Sequence, residues 1–398
     1  MRKRWRELRT ALARGARLLV VLSLASTGPF AVPAASAAAS APYLPASDSQ
    51  VLAEIPAGAA HRSAPSLAAA ARRLDVALPL AQFDIARARA TGDLRFLGYA
   101  EAALAPWRNR TDAPPEILVL DATILQSRHA FEASLIELDR ALTARPGDAQ
   151  GWLTRATVLR VLGRYEEAEM SCERLRPSAD AAIASLCTES LRSLTGHLSD
   201  AYETIKLLSM QNLPAEARAW RYSELGEMSE RLGDGERAGH WFREGLEAAP
   251  DDLYIRAAYA DSLLRQGRAA ETLRLLADYQ SMEPMLLRVT IAHRQLRDGA
   301  GALAEQQLST AFQVELMRGD AVHRREQARF LLEVDRDPPA ALSAALDNWR
   351  IQREPDDILI LLRAAQAAHR SGAAAPALEF LKRNGLEDAR LAAYRDAG

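Results

Sequence analysis

From residue 115 onward a small-residue pattern recurs about every 34 residues, a period that restricts the chain to stacked helical pairs. Two stretches carry it most clearly. The first holds Leu118, Ala122, Leu125, Phe131, Ser134, Leu138, Ala141 and Pro146; the second holds Trp152, Ala156, Leu159, Gly163, Tyr165, Ala168, Cys172 and Leu175. Laid on one another, Leu118 falls on Trp152, Ala122 on Ala156, Phe131 on Tyr165 and Leu138 on Cys172. Further copies run through Tyr222, Gly226, Gly233, Ala238, Phe242 and Pro250, then Ala260, Gly267, Leu276 and Pro284. Ala292, Gly299, Ala304 and Leu308 follow, and a last copy holds Leu361, Ala365, Gly372, Ala377 and Leu381. Alanine richness alone would not keep strides of 34 residues from 122 to 156 and from 226 to 260, with turns in phase.

The residue types follow from packing. Antiparallel helices approach closely only where small side chains sit at the crossing, here Ala122, Ala156, Gly226, Ala260, Ala292 and Ala365 facing Ser134, Ala168, Ala238, Ala304 and Ala377. The glycines at 163, 233, 267, 299 and 372 fall where a helix must stop and turn. Pro146, Pro250 and Pro284 are expected to end the second helix of each pair.

These positions resemble the tetratricopeptide (TPR) signature of a Trp, then Leu-Gly, an aromatic, an Ala-x-x-x-aromatic and a final Pro. The resemblance covers roughly residues 115–385. Around Glu189 the small residue is missing, and between Arg318 and Asp357 the spacing stretches, with Pro338-Pro339 in place of a glycine turn. It implies an all-α, right-handed α-solenoid of about eight or nine hairpins. Residues 67–398 would form it, with 67–114 as a divergent N-terminal cap and 115–385 as repeats. Helical pattern there runs over 67–78, 80–91 and 94–105. The segments Gly98–Trp107, Trp152–Ala156 and Asn348–Pro355 are similar to those of a group of exported bacterial TPR proteins without an assigned biochemical activity.

The N-terminus predicts export. Arg2, Lys3, Arg4, Arg6, Arg9, Arg14 and Arg17 precede the apolar run Leu18–Ala25, and Ala35-Ser36-Ala37 supplies a cleavage site, so residues 1–37 read as a signal peptide of the general export route. The run is far short of the ~20 residues that span a bilayer, so no transmembrane anchor is expected after cleavage. A mitochondrial presequence is the competing reading of so much arginine, and the compact apolar core favours export. No cysteine precedes Cys172, which rules out a lipid-modified N-terminus. Residues 38–66, rich in Ala, Pro and Ser, read as a flexible tether. The first 37 residues carry seven basic groups and one acid, net +6, against −2 for the whole chain; the remainder is therefore −8. A mildly acidic body has no broad footprint for nucleic acid.

Cys172 and Cys187 are the only cysteines, and the repeat frame puts them on packed neighbouring helices. Two readings stay open: a disulfide in an oxidising compartment, or a pair of buried apolar thiols.

The resemblance implies that the first helix of each hairpin lines a concave groove. In that frame Arg231, Arg265, Arg297 and Arg370 occupy one equivalent place near the end of that helix, Arg160 lies one residue away, and Trp220, Tyr254 and His293 share the face. They would suit an acidic chain or a free carboxylate, because arginine offers forked donors. The competing reading is ordinary helix chemistry, with Glu227–Arg231 and Asp261–Arg265 as i,i+4 pairs. The seven histidines show no metal-ligand spacing, and neither a nucleophile elbow nor a phosphate-binding loop occurs. Gly299–Ala304 imitates a dinucleotide loop without a preceding strand. No catalysis, cofactor or metal is expected.

The expectation is thus a periplasmic or secreted scaffold or adaptor that holds a protein or peptide partner, acidic or carboxylate-bearing, in its groove. An accessory subunit of a periplasmic export or assembly machine, for polysaccharide or cytochrome maturation, is the second reading. A hydrolase built on a TPR body is the third.

Overall fold

Nine left-handed backbone positions, each between two antiparallel helices, set the architecture: Gly92, His129, Gly163, Gly196, Gly233, Gly267, Arg297, Arg336 and His369. In this computed structural model residues 73–280, 282–318 and 323–395 are described. The expected signal peptide and tether lie outside them. Among the described residues there are nineteen α-helices and no strand.

The hairpins run in chain order. The first four are α1 (Leu74–Thr91) with α2 (Arg95–Arg108), α3 (Pro115–Ser127) with α4 (Phe131–Ala144), α5 (Ala149–Val161) with α6 (Tyr165–Leu175), and α7 (Ala181–Arg192) with α8 (Leu198–Leu207). Next come α9 (Ala215–Arg231) with α10 (Gly235–Ala248), α11 (Leu253–Arg265) with α12 (Ala269–Leu275), and α13 (Glu283–Leu296) with α14 (Ala302–Arg318). The last are α15 (Arg324–Glu333) with α16 (Pro338–Trp349) and α17 (Pro355–Ala367) with α18 (Ala375–Asn384), followed by the short α19 (Ala392–Arg395). The fold is an α-solenoid of TPR-type hairpins.

Local chemistry explains where each helix begins and ends. Asp148, Asp234, Asp252 and Asp337 cap helix N-termini by accepting from the amides of Gly151, Arg237, Ile255 and Ala340 at 2.8–3.0 Å. At the turns, the amide after the left-handed residue reaches back five positions, as in Arg164 N to Leu159 O and Asp234 N to Ser229 O, both 2.9 Å. Glycine takes the left-handed angles freely at Gly163, Gly233 and Gly267, as the spacing predicts. At the glycines 299 and 372 it does not. There the left-handed residue is Arg297 or His369, at a cost of roughly 1 kcal/mol each, and the glycines sit in 3₁₀ turns instead. Two other boundaries differ from expectation. Pro79 lies inside α1, which runs unbroken where a division near residue 79 was expected, and Pro284 opens α13 rather than closing the preceding helix.

The crossings carry the small residues as predicted. Ser134 is fully buried and its hydroxyl donates to Ala122 O at 2.8 Å, while Ala168, Ala238, Ala260, Ala292 and Ala377 are also fully buried. Glu189, where no small residue stands, is nearly buried and is neutralised by Arg192 at 2.9 Å.

The array does not stay open. The C-terminal hairpins share one apolar core with α4–α7, joining Phe131, Tyr165 and Cys172 to Trp349, Phe380 and Leu391. They lie across the turn edge of four consecutive hairpins. Gln352 meets His129 at 3.2 Å, and Arg353 N donates to Val161 O at 2.8 Å. Phe380 packs edge-on against Tyr165 with ring centroids 5.6 Å apart. Leu198 N donates to Glu387 at 2.9 Å, and Ala389 abuts Gly233.

Close packing at the α9/α10 crossing gives a test. A methyl group on Gly226 would run into the Phe242 ring, which is 1% exposed. We expect Gly226→Ala to lower stability by about 1–3 kcal/mol, overriding the ~1 kcal/mol that alanine adds in a helix. In a Phe242→Leu background that cost should largely vanish; denaturant unfolding that gives equal costs in both backgrounds would contradict this packing.

Candidate functional site

The arginines singled out by the repeat frame gather near the turn edge, and their partners are mostly this chain's own carboxylates. Arg160 bonds Glu224 at 2.9 Å and lies 3.6 Å from Glu354 of the C-terminal section. Arg265 bonds Glu230 of the preceding hairpin at 2.9 Å. Arg231 is 4% exposed and donates to the Ser193 carbonyl and hydroxyl, each at 2.6 Å. The expected i,i+4 pairs give way to longer-range ones: Asp261 holds Arg288 at 2.7 Å and Arg329 at 2.8 Å, and Glu227 receives the Tyr254 hydroxyl.

Three expected groove residues stand elsewhere. His293 bonds Asp298 at 2.7 Å beside a separate polar cleft, because Gly301 lets the next turn approach its ring closely. Arg297 is the left-handed turn residue itself, and Arg370 is exposed at the entry to a 3₁₀ turn. The carboxylate-bearing strand expected along the arginines is therefore, in large part, the protein's own segment 354–357 and Asp388. Arg325 lies 3.4 Å from Asp357 and 3.5 Å from Glu354, and Arg390 bonds Asp356 and Asp388 at 2.7 Å each. Arg325, Arg390, Glu354 and Asp356, with the groups around Asp261, line a cavity of about 770 Å³ in which acids and arginines balance.

The electrostatics confirm how strongly the arginines are committed. Burial alone would push the Asp261 carboxyl up, but Arg288, Arg329 and Arg265 outweigh it and hold it at about 2. Its folded-state pKa lies below the ordinary value, so its contribution is present above about pH 4 and is lost as pH falls toward 2. Glu227 goes the other way. Burial and the neighbouring Glu224 push it up to about 7, against the opposing pull of Arg160.

A further pocket opens on the inner face. It encloses about 390 Å³ between α5, α7, α9, the end of α1 and the start of α11. Arg160, Trp220 and Tyr254 from the sequence reading meet here, with the Trp220 indole N–H donating to Glu224 at 3.0 Å. Tyr254 is 57% exposed. One wall is the Cys172–Cys187 pair, which is bridged with a Cα–Cα separation of 5.7 Å, inside the range a disulfide needs. Closing that 15-residue separation stabilises the fold by roughly 3 kcal/mol on loop-entropy grounds.

Sequence reasoning missed the pocket's acids, Glu216, Glu224, Glu227 and Asp252, and its serine, Ser190. Glu224 was legible in principle, four residues after Trp220 on the same helical face. Asp252 reads as an N-cap, and nothing local marks it as a pocket wall. Among the described residues no group of histidine, cysteine and carboxylate side chains is arranged to hold a metal ion.

No protein-family model matches the sequence, and no curated protein does. Solved structures with a similar course include tetratricopeptide repeat proteins. The Cut9–Hcn1 heterotetramer of the APC/C is 11% identical over 76% of this chain, with a TM-score of 0.47. This chain spans 59% of the length of that one. A tetratricopeptide repeat protein from Parabacteroides merdae is 18% identical, covering 58% of this chain and 93% of its own, with a TM-score of 0.37. Yeast Tom70 is 9% identical over 79% of this chain and 85% of its own, with a TM-score of 0.28. The TPR-like fold assignment rests on the hairpins described above.

Glu227 provides the pH test. An acid whose folded-state pKa is raised makes the fold less stable as pH climbs from its ordinary value near 4.5 to about 7. Glu227→Gln should remove that decline and raise stability at pH 8 by about 1 kcal/mol, a figure reduced for solvent screening at a half-buried site. Thermal melts at pH 5 and 8 read it; a variant less stable than wild type at pH 8 would contradict the assignment.

Proposed function

We propose that this protein is an exported TPR-like scaffold that holds a protein partner at the open inner-face pocket. The supporting observation is that pocket itself, whose lining joins Leu153, Ala156, Leu191, Trp220 and Ile255 to the exposed ring of Tyr254, while the neighbouring cavity, which Tyr254 also borders, is lined by balanced acids and arginines. Repeat arrays offer such curved surfaces for binding rather than for chemistry. The bridged Cys172–Cys187 pair suits an oxidising compartment, in keeping with the signal-like residues 1–37. A periplasmic scaffold would meet both demands.

The test is photo-crosslinking in cells, with a photoreactive residue at position 254 and, as control, at Ile136, which is 61% exposed on α4. A protein-sized adduct from 254 and none from 136 is the expected result. Equal labelling at both positions, or none at 254, would remove the pocket as the contact. Cell fractionation reads the other half: a periplasmic chain lacking its first residues and carrying no free thiol is expected. A cytosolic chain with two thiols would overturn export.

A further inference from the structure

The pocket's chemistry opposes the carboxylate expected from the arginine series. Its two arginines, Arg89 and Arg160, face four acids. Arg160 is spent on Glu224 and Glu354, and Arg89 faces Asp252 electrostatically. Glu216 stands exposed at the mouth. Among the described residues the Tyr254 hydroxyl is the side-chain donor to Glu227, and like-charged Glu224 and Glu354 lie close enough to disfavour its ionisation. A cation would relieve that repulsion; an anion would add to it.

A second observation is independent of the charges. Ser190 is 3% exposed, its hydroxyl has no hydrogen-bond partner among the described residues, and it lines the same pocket. A buried hydroxyl left unpaired costs free energy unless something entering the site accepts from it or donates to it. An ammonium or guanidinium donates, and a hydroxyl oxygen has lone pairs to receive it. The volume of about 390 Å³ is small for a drug-sized ligand and adequate for one long side chain with its flanking backbone.

We infer that this pocket receives a lysine or arginine side chain of an extended basic segment of the partner, with Glu216, Glu227 and Asp252 supplying charge, Ser190 a buried acceptor, and Trp220 and Tyr254 the flanking aromatic surface. The inference rests on the scaffold reading and specifies its partner's chemistry. The aliphatic stem of the side chain lies along the aromatic wall while the charged head meets the carboxylates.

The experiment is a fluorescence-anisotropy titration with a labelled, end-capped peptide of alternating alanine and lysine, beside its lysine-acetylated and glutamate-substituted counterparts. The lysine peptide should bind wild type at least tenfold more tightly than either counterpart. Glu216→Gln with Asp252→Asn should weaken it at least tenfold; asparagine caps a helix as well as aspartate, so α11 keeps its start. Ser190→Ala should weaken it several-fold at an unchanged or higher melting temperature, a separation of binding from stability that a purely structural serine would not give. Equal binding of the lysine peptide to wild type and to the doubly neutralised variant would overturn the inference, as would tighter binding of the glutamate peptide. Position-254 crosslinks that persist in a doubly neutralised protein showing no lysine-peptide binding would overturn it while leaving the scaffold standing. Loss of crosslinks and peptide binding alike in wild type would remove both.

Discussion

Asp261 on α11 is gripped by Arg288 on α13 and Arg329 on α15, and much of the molecule's shape depends on that grip. Arg329 and Arg363 both reach Glu333, and Arg325 and Arg390 extend the lattice to Glu354, Asp356, Asp357 and Asp388. Buried ion pairs of this kind add little net stability, because desolvation offsets much of the attraction. Breaking one is another matter, costing about 3–5 kcal/mol when a charge is left alone in the interior. The lattice thus acts by selection: it accepts one placement of the C-terminal hairpins and penalises the rest. The shared apolar core of Tyr165, Trp349 and Phe380 then supplies the non-specific attraction.

That placement decides what the inner face can do. An open TPR array presents the ends of its first helices to a partner, and here the chain's own C-terminal section takes much of that position. Arg231 is tied to Ser193 and Arg265 to Glu230, so they hold successive hairpins together. In the pocket beside the disulfide, by contrast, acids outnumber arginines. The same closure that commits the arginines turns the remaining site toward cations.

The fold was largely legible because its determinants are local. The crossings at Ala122, Gly226 and Ala292 and the turns at Gly163, Gly233 and Gly267 recur within single hairpins, where spacing carries the information. The turns at Arg297 and His369 were not legible, since a non-glycine left-handed residue leaves no sequence mark. The site was legible only in part. Arg160, Trp220 and Tyr254 line one pocket, while His293, Arg297 and Arg370 stand apart where the turn geometry changes. The partners of the arginines were out of reach: Arg160 and Glu354 stand far apart in the chain, and periodicity gives no account of how an array curls back upon itself.

The closure itself can be measured at two backbone amides. Arg353 N is held by Val161 O, and Leu198 N by the Glu387 carboxylate, so both bonds exist only while the C-terminal section covers the turn edge. Native-state hydrogen exchange at these amides is the most direct probe. The account predicts protection at both that approaches that of the core helices α9 and α11. Exchange at the rate of free loops would mean that the C-terminal section stands away from the array and that the arginine face is open.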